Sequence, residues 1–139
     1  MTAISFPKPV ARTSPFSARN IGRAITVLPI AFLVFDTAIK FSHVDAVAQS
    51  FSQLGLPVNL AAAVGILELV CLVIYLIPST AVLGAVLLTG YLGGAISLHV
   101  RVANPLFSHI LFPTYVAALL WGGLYLREPR LRALLPVRK

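Results

Sequence analysis

Asp36, Lys40 and His43 lie four and then three residues apart near the end of a long apolar stretch. This spacing places the three side chains on one face of a helix, with the acid one turn before the base. An aspartate and a lysine so arranged can hold the polar end of a bound molecule. They can equally form an internal ion pair that only fixes helix packing, and the sequence leaves both interpretations open.

Glu68 is a second acid inside an apolar run. It lies about ten residues after Val58, the start of its apolar run. This separation corresponds to roughly 15 Å along a helix that rises about 1.5 Å per residue. An ionisable group in a membrane costs about 2.5 to 3.5 kcal/mol on insertion scales, so Glu68 is a functional candidate. We expect its carboxyl group to be neutral unless a cation reaches it. An interhelical hydrogen bond without a further role is the alternative.

A third apolar run carries Tyr91 and His99 on one helix face and has Arg101 at its end. Counting along the runs places Asp36, Glu68 and Tyr91 within about 8 Å of one another in depth. We therefore predict a polar layer in the outer half of a helix bundle, with His43, His99, Arg101 and His109 at its outer rim. The ligand-binding candidates are Asp36, Lys40, Glu68, Tyr91, His99 and Arg101.

The histidines do not indicate a metal site. His43, His99 and His109 come from three segments and match no ligand spacing, so interfacial hydrogen bonding is favoured. Cys71 is the only cysteine, which excludes an intramolecular disulfide or a CxxC redox pair. We find no nucleotide-binding, haem-binding or nucleophile motif either. Sequence motifs therefore assign no catalytic residue and no cofactor.

The elements that carry these residues follow from composition. Of 139 residues, 58% are hydrophobic and 11% charged, with a mean hydropathy of +0.92, which indicates an integral membrane protein. We predict an all-α fold, a bundle of four transmembrane helices with a short interfacial helix between the first two. The spans are 21–41, 58–77, 80–99 and 108–126, and the interfacial helix lies in 44–57. Residues 1–20 are expected to be a flexible basic tail, 21–126 the membrane domain, and 127–139 a basic amphipathic tail.

The formal charge of +7 favours anionic lipid head groups over nucleic acid as a partner, because the basic residues flank apolar segments. The side of the membrane with both termini holds nine Lys and Arg, and the other side holds Lys40 and Arg101. The positive-inside rule then predicts cytoplasmic termini, in a bacterial inner membrane. Glycines such as Gly90 and Gly94, a GxxxG pair, predict close helix packing, within one bundle or between protomers.

Several stretches together resemble the DoxX-like family of small four-helix membrane proteins. They are the Asp36 to Lys40 helix end, LGLP at 54–57, GILEL around Glu68, TGYLGGA before His99, and the ending WGGLYLREPRLRALLP. The resemblance covers about residues 25–136. The family takes its name from a membrane subunit associated with thiosulfate:quinone oxidoreductase. The resemblance therefore implies a quinone-sized or lipid-like ligand inside the bundle.

The sequence indicates two possible functions and leaves open whether the protein is an enzyme. The first is a redox-linked accessory subunit that binds a quinone or lipid-like molecule at the polar layer. The second is a non-enzymatic assembly or stabilising partner of another membrane protein, indicated by the glycine-rich faces and the basic ending. A transporter or channel is a third option, and four short spans with no sign of an inverted repeat argue against it for a monomer.

Overall fold

The computed structural model describes residues 17–42 and 44–134, which form α-helices joined by short turns. The helices are α1 (Ala18–Phe41), α2 (Asp45–Gln53), α3 (Ala61–Leu76), α4 (Ala81–Arg101), α5 (Phe112–Arg127) and α6 (Pro129–Leu134). Four helical segments are long and apolar enough to cross a membrane: Ala18–Phe41, Val58–Leu76, Ala81–Arg101 and Leu106–Arg127. The predicted all-α fold, with a short helix between the first two spans, is confirmed.

The four long helices form a ring. Helix α1 packs against α5 and α3, and α4 packs against α3 and α5, so the first and last spans close the bundle. Its centre is filled by large side chains at most 1% exposed, such as Leu33, Tyr75, Leu88 and Leu120. Large apolar side chains also cover the outside of the spans. That distribution suits a lipid surround, where an apolar exterior has no penalty.

Glycines set how closely two of the helix pairs approach. At Gly84, a Cβ atom would collide with the backbone N and Cα of Tyr75, so α4 touches the α3 backbone there. A Cβ atom at Gly22 would lie 2.7 Å from the carbonyl oxygen of Gly123, which brings α1 against α5. Small residues therefore pack the bundle as predicted. The GxxxG pair differs, because a Cβ atom at Gly90 or Gly94 would meet nothing within 4 Å.

Two departures from the predicted spans concern the first and the fourth. Helix α1 begins at Ala18 and continues through Pro29 to Phe41, so it starts before the predicted Ile21. The fourth span begins with a π-helical turn over Leu106–Ile110, and α5 starts at Phe112. Pro113 accounts for this break, since proline has no N–H to donate to the preceding turn and is tolerated in the first turn of an α-helix.

Short elements lie at both ends of the bundle. Helix α2 buries Val47 and Phe51 in a small core with Ala61, beside the start of α3. At the other end, α6 buries Leu131 in the main core. The predictions for residues 1–16, His43 and residues 135–139 lie outside the described residues.

Candidate functional site

The site is built around a contact between the end of α1 and the middle of α3. Gly65 has no side chain and faces α1, where a Cβ atom would lie 3.3 Å from the Cβ of Lys40. Glu68 follows on the same face of α3, one turn later. Lys40 Nζ donates a hydrogen bond of 2.8 Å to Glu68 Oε2, and the Glu68 side chain is 0% exposed. The cation that a charged Glu68 requires at this depth is therefore present.

Asp36 binds the same lysine from the other side. Its Oδ2 atom forms an ion pair with Lys40 Nζ, one helical turn apart on α1. The two carboxylates have different surroundings, since the Asp36 side chain is 38% exposed and that of Glu68 is fully buried. Lys40 thus connects a half-exposed acid to a buried one.

Tyr91 on α4 brings a third helix to the site. Its hydroxyl donates a hydrogen bond of 3.1 Å to Glu68 Oε2, and Lys40 Nζ lies 5.9 Å from the centre of the Tyr91 ring. Asp36, Lys40, Glu68 and Tyr91 are linked by direct contacts, and we call them the polar cluster. The structure joins these four of the six candidate residues by direct contacts. Their role as ligand-binding residues stays a prediction.

Two buried oxygens beside these contacts have spare hydrogen-bonding capacity. Within the described residues, Glu68 Oε1 and the hydroxyl of Thr37 are buried without a hydrogen-bond partner. Thr37 lies on α1, one turn before Lys40. A buried polar group without a partner costs about 1 to 3 kcal/mol, so such atoms call for an explanation. Sequence reasoning missed Thr37, although a hydroxyl next to Asp36 in an apolar helix was a usable signal.

A groove of about 530 Å³ runs between α3 and α4 on the side of Tyr91. Its lining is almost entirely apolar and consists of Val64, Leu67, Cys71, Leu87, Gly90, Tyr91, Gly94, Ala95 and Leu98. The open space beside Gly90 and Gly94 belongs to this groove. Tyr91 is shared by the groove and the polar cluster, so an apolar surface ends next to a hydrogen-bonded hydroxyl.

His99 and Arg101 have other partners. The ring Nδ1 of His99 is 2.7 Å from the Asn104 side-chain nitrogen, and the rings of His99 and His109 lie 5.6 Å apart. The Arg101 guanidinium donates to the carbonyl oxygen of Leu54, in the turn that follows α2. Among the described residues these contacts place both side chains at the rim, and no hydrogen bond or ion pair joins them to the polar cluster.

The arrangement can bind charge and hold protons. Hydrogen-bonded groups run from half-exposed Asp36 through Lys40 and Glu68 to Tyr91 at the groove. Carboxylate, ammonium and phenol groups in contact can redistribute a proton, or can bind the polar atoms of a ligand.

Comparison with known proteins identifies the family. The model of the DoxX-like family matches residues 24–123, a range that contains the whole polar cluster and the whole groove. No curated protein and no solved structure matches the chain. The match covers well over half of the 139 residues, and four apolar helices of spanning length accompany it. The chain belongs to the DoxX-like family and is an integral membrane protein.

Proposed function

We propose that the protein binds a quinone-like or lipid-like molecule in the groove between α3 and α4, as an accessory subunit of a membrane redox system. One observation carries the proposal: Tyr91 lines the groove and also binds Glu68 of the polar cluster. A molecule with an apolar body and a polar head needs such a combination, because each part of it then has a matching surface.

The size and chemistry of the groove support this ligand class. Its volume of about 530 Å³ lies within the roughly 300 to 1,000 Å³ typical of small-molecule sites. Leu67, Leu87 and Leu98 offer apolar contact for a ring or an isoprenoid tail. Behind Tyr91, Glu68 Oε1 is a buried acceptor without a partner among the described residues, so the polar cluster keeps spare capacity to accept a proton. The Tyr91 oxygen can still accept a hydrogen bond, so the residues present fit the hydroxyl group of a reduced quinone.

The protein's own residues would bind and release protons at this site. A bound quinone would supply two-electron, two-proton redox chemistry. Tyr91 would orient a polar head through its hydroxyl, and Glu68 would hold or release a proton at its carboxylate oxygens. Lys40 stabilises the charged form of Glu68, and Asp36 extends the hydrogen-bonded path toward its own half-exposed side chain. We assign the electron source to a partner protein, because one cysteine cannot form an intramolecular dithiol.

The test is a substitution that fills the groove and leaves the residues of the polar cluster unchanged. Gly94 lines the groove and has open space around it, so Gly94→Leu is accommodated and occupies the volume a ligand needs. We expect wild type in lipid nanodiscs to bind a short-chain ubiquinone analogue saturably, and Gly94→Leu to bind it at least about tenfold more weakly, a loss of about 1.4 kcal/mol.

Gly93→Leu is the matched control. A Cβ atom at Gly93 also meets nothing within 4 Å, but Gly93 does not line the groove. Its quinone affinity should stay within about twofold of wild type, equivalent to about 0.4 kcal/mol. Absence of saturable quinone binding to wild type, or equal losses in both variants, would count against the proposal.

The second candidate is assembly with another membrane protein. Gly90, Gly93 and Gly94 form a bare strip on α4, and small residues of this kind let a helix of a partner or of a second copy approach closely. Crosslinking in native membranes followed by mass spectrometry would test it. A stoichiometric partner that Gly93→Leu displaces, with quinone binding unchanged, would favour assembly over ligand binding.

We also propose that both termini are cytoplasmic and that the membrane is a bacterial inner membrane. Nine Lys and Arg on the terminal side against two on the other support this orientation. A phosphatase fused after residue 139 should be inactive, since this reporter works only outside the cytoplasm. High phosphatase activity of that fusion would reverse the proposed orientation.

A further inference from the structure

A second pocket lies at the end of the bundle away from the polar cluster. It has a volume of about 290 Å³, and Arg19 and Arg23 of α1 and Arg127 of α5 line it. These arginines are near the start of α1, whereas Lys40 is in its last turn. We propose that this pocket binds the phosphate group of an anionic membrane lipid. The proposal is independent of the quinone site.

The positive charge in this pocket is only partly compensated. Both ion pairs within the described residues belong to Lys40, so none of the three pocket arginines has a described carboxylate within 4.0 Å. Glu128 also lines the pocket, and its Oε1 accepts a hydrogen bond from the backbone N–H of Arg130. Three guanidinium groups therefore face one carboxylate, which leaves the pocket with a net positive charge.

The spacing of two arginines and one contact of the third shape this pocket. Arg19 and Arg23 are one turn apart and lie on the same face of α1. The guanidinium of Arg127 lies 5.0 Å from the ring centre of Tyr75, which is fully buried and donates a hydrogen bond of 2.9 Å to the Leu120 carbonyl oxygen. A cation held against a fixed aromatic ring is preorganised, so less conformational entropy is lost when an anion binds.

The chemistry of the pocket selects a phosphate carried by a lipid. The planar guanidinium group matches phosphate oxygens through paired hydrogen bonds. Apolar residues Leu76 and Leu124 share the pocket with the arginines, and they would contact the glycerol and the first methylenes of a lipid. The pocket also lies at the ends of the spans, where lipid head groups are located, and basic pockets between transmembrane helices are known lipid sites. A free phosphate would use the arginines alone.

The experiment compares matched charge changes inside and outside the pocket. Purified protein is titrated with phosphatidylglycerol, and lipid retention is measured by native mass spectrometry. We expect saturable binding of one lipid, with an affinity about fivefold lower for Arg23→Gln and for Arg127→Gln, as for loss of one basic contact near a membrane surface. Arg130→Gln removes the same charge outside the pocket and should stay within about twofold.

Controls separate the lipid from other sources of the same chemistry. The double variant Arg19→Gln with Arg23→Gln leaves the Arg127 to Tyr75 contact intact, and its loss of binding cannot be attributed to that contact. Phosphatidylcholine and inorganic phosphate should compete poorly. Equal weakening by Arg130→Gln, equal competition by inorganic phosphate, or absence of saturable phosphatidylglycerol binding would each overturn the proposal.

Discussion

Lys40 and Glu68 are 28 residues apart in the chain and are joined by an ion pair of 2.8 Å between α1 and α3. The contact makes the buried carboxylate compatible with its apolar surroundings, because the cation compensates for lost hydration. Glu68 Oε1 has no hydrogen-bond partner among the described residues. The cluster therefore differs from a structural ion pair in which every carboxylate oxygen accepts a hydrogen bond.

Replacement of Lys40 by methionine should destabilise the protein strongly. The change leaves Glu68 buried without its cation, and breaking such a pair costs about 3 kcal/mol. Unfolding in SDS is followed by labelling of Cys71, the only cysteine, which is 4% exposed in the folded state. The double variant with Glu68→Gln should lose less than the sum of the single changes, with a coupling of at least about 1 kcal/mol. Simple additivity would show that the pair is not coupled.

The two acids of the polar cluster should differ in how much they contribute to the stability of the protein. Asp36→Asn removes a partner that is 38% exposed, and we expect a loss below about 1 kcal/mol in the SDS assay. Glu68→Gln removes a fully buried charge and leaves Lys40 with only the partly exposed Asp36 as its ion-pair partner, so a loss of about 2 to 3 kcal/mol is expected. Quinone affinity should also fall more for Glu68→Gln. Equal effects of the two substitutions would contradict the assigned burial.

Alanine should have opposite effects at two glycines of α4. At Gly84 the added methyl group collides with the backbone of Tyr75, which cannot move aside, and we expect a loss of about 3 kcal/mol. At Gly90 it meets nothing within 4 Å, and alanine is the better helix former by up to about 1 kcal/mol. Unfolding of both variants in SDS measures the two changes in stability. A stable Gly84→Ala variant would be inconsistent with this crossing of α3 and α4.

Tyr75→Phe should cost about 1 kcal/mol, since it removes one buried hydrogen bond to the Leu120 carbonyl oxygen and keeps the ring. The Leu120 carbonyl oxygen can still accept within its own helix, which limits the loss. Tyr115→Phe is the matched control, because Tyr115 is 46% exposed and should tolerate the change. Identical SDS midpoints for the two variants would argue against a stabilising role of the Tyr75 hydroxyl.

Arg101→Gln should loosen the segment around α2 without unfolding the bundle. The Arg101 guanidinium holds the Leu54 carbonyl oxygen, beside Gly55 in a left-handed conformation with φ of +66°. Hydrogen–deuterium exchange of residues 45–56 should accelerate several-fold, as expected for loss of about 1 kcal/mol of local stability. Exchange in α3 should not change. Uniform acceleration across both segments would indicate a global effect instead.

Much of the fold follows from local sequence properties. The length and hydropathy of the apolar runs predict four spans, because a helix must satisfy its backbone hydrogen bonds internally to cross a membrane. The Asp36 to Lys40 pair is equally local, since residues four apart on a helix are neighbours whatever surrounds them. Depth along each span also follows from residue count, and it placed Glu68 and Tyr91 near the same level.

The partners across helices were decided only by the tertiary structure. A membrane helix is apolar on all sides, so its sequence does not show which face turns inward. Gly65 rather than the GxxxG pair brings α1 to Glu68, and His99 and Arg101 bind Asn104 and Leu54 instead of the carboxylates. The groove between α3 and α4 stays open beside Gly94 because, among the described residues, no atom lies within 4 Å of a Cβ atom placed there. Such contacts depend on how helices rotate and cross, which is settled by packing of the whole bundle.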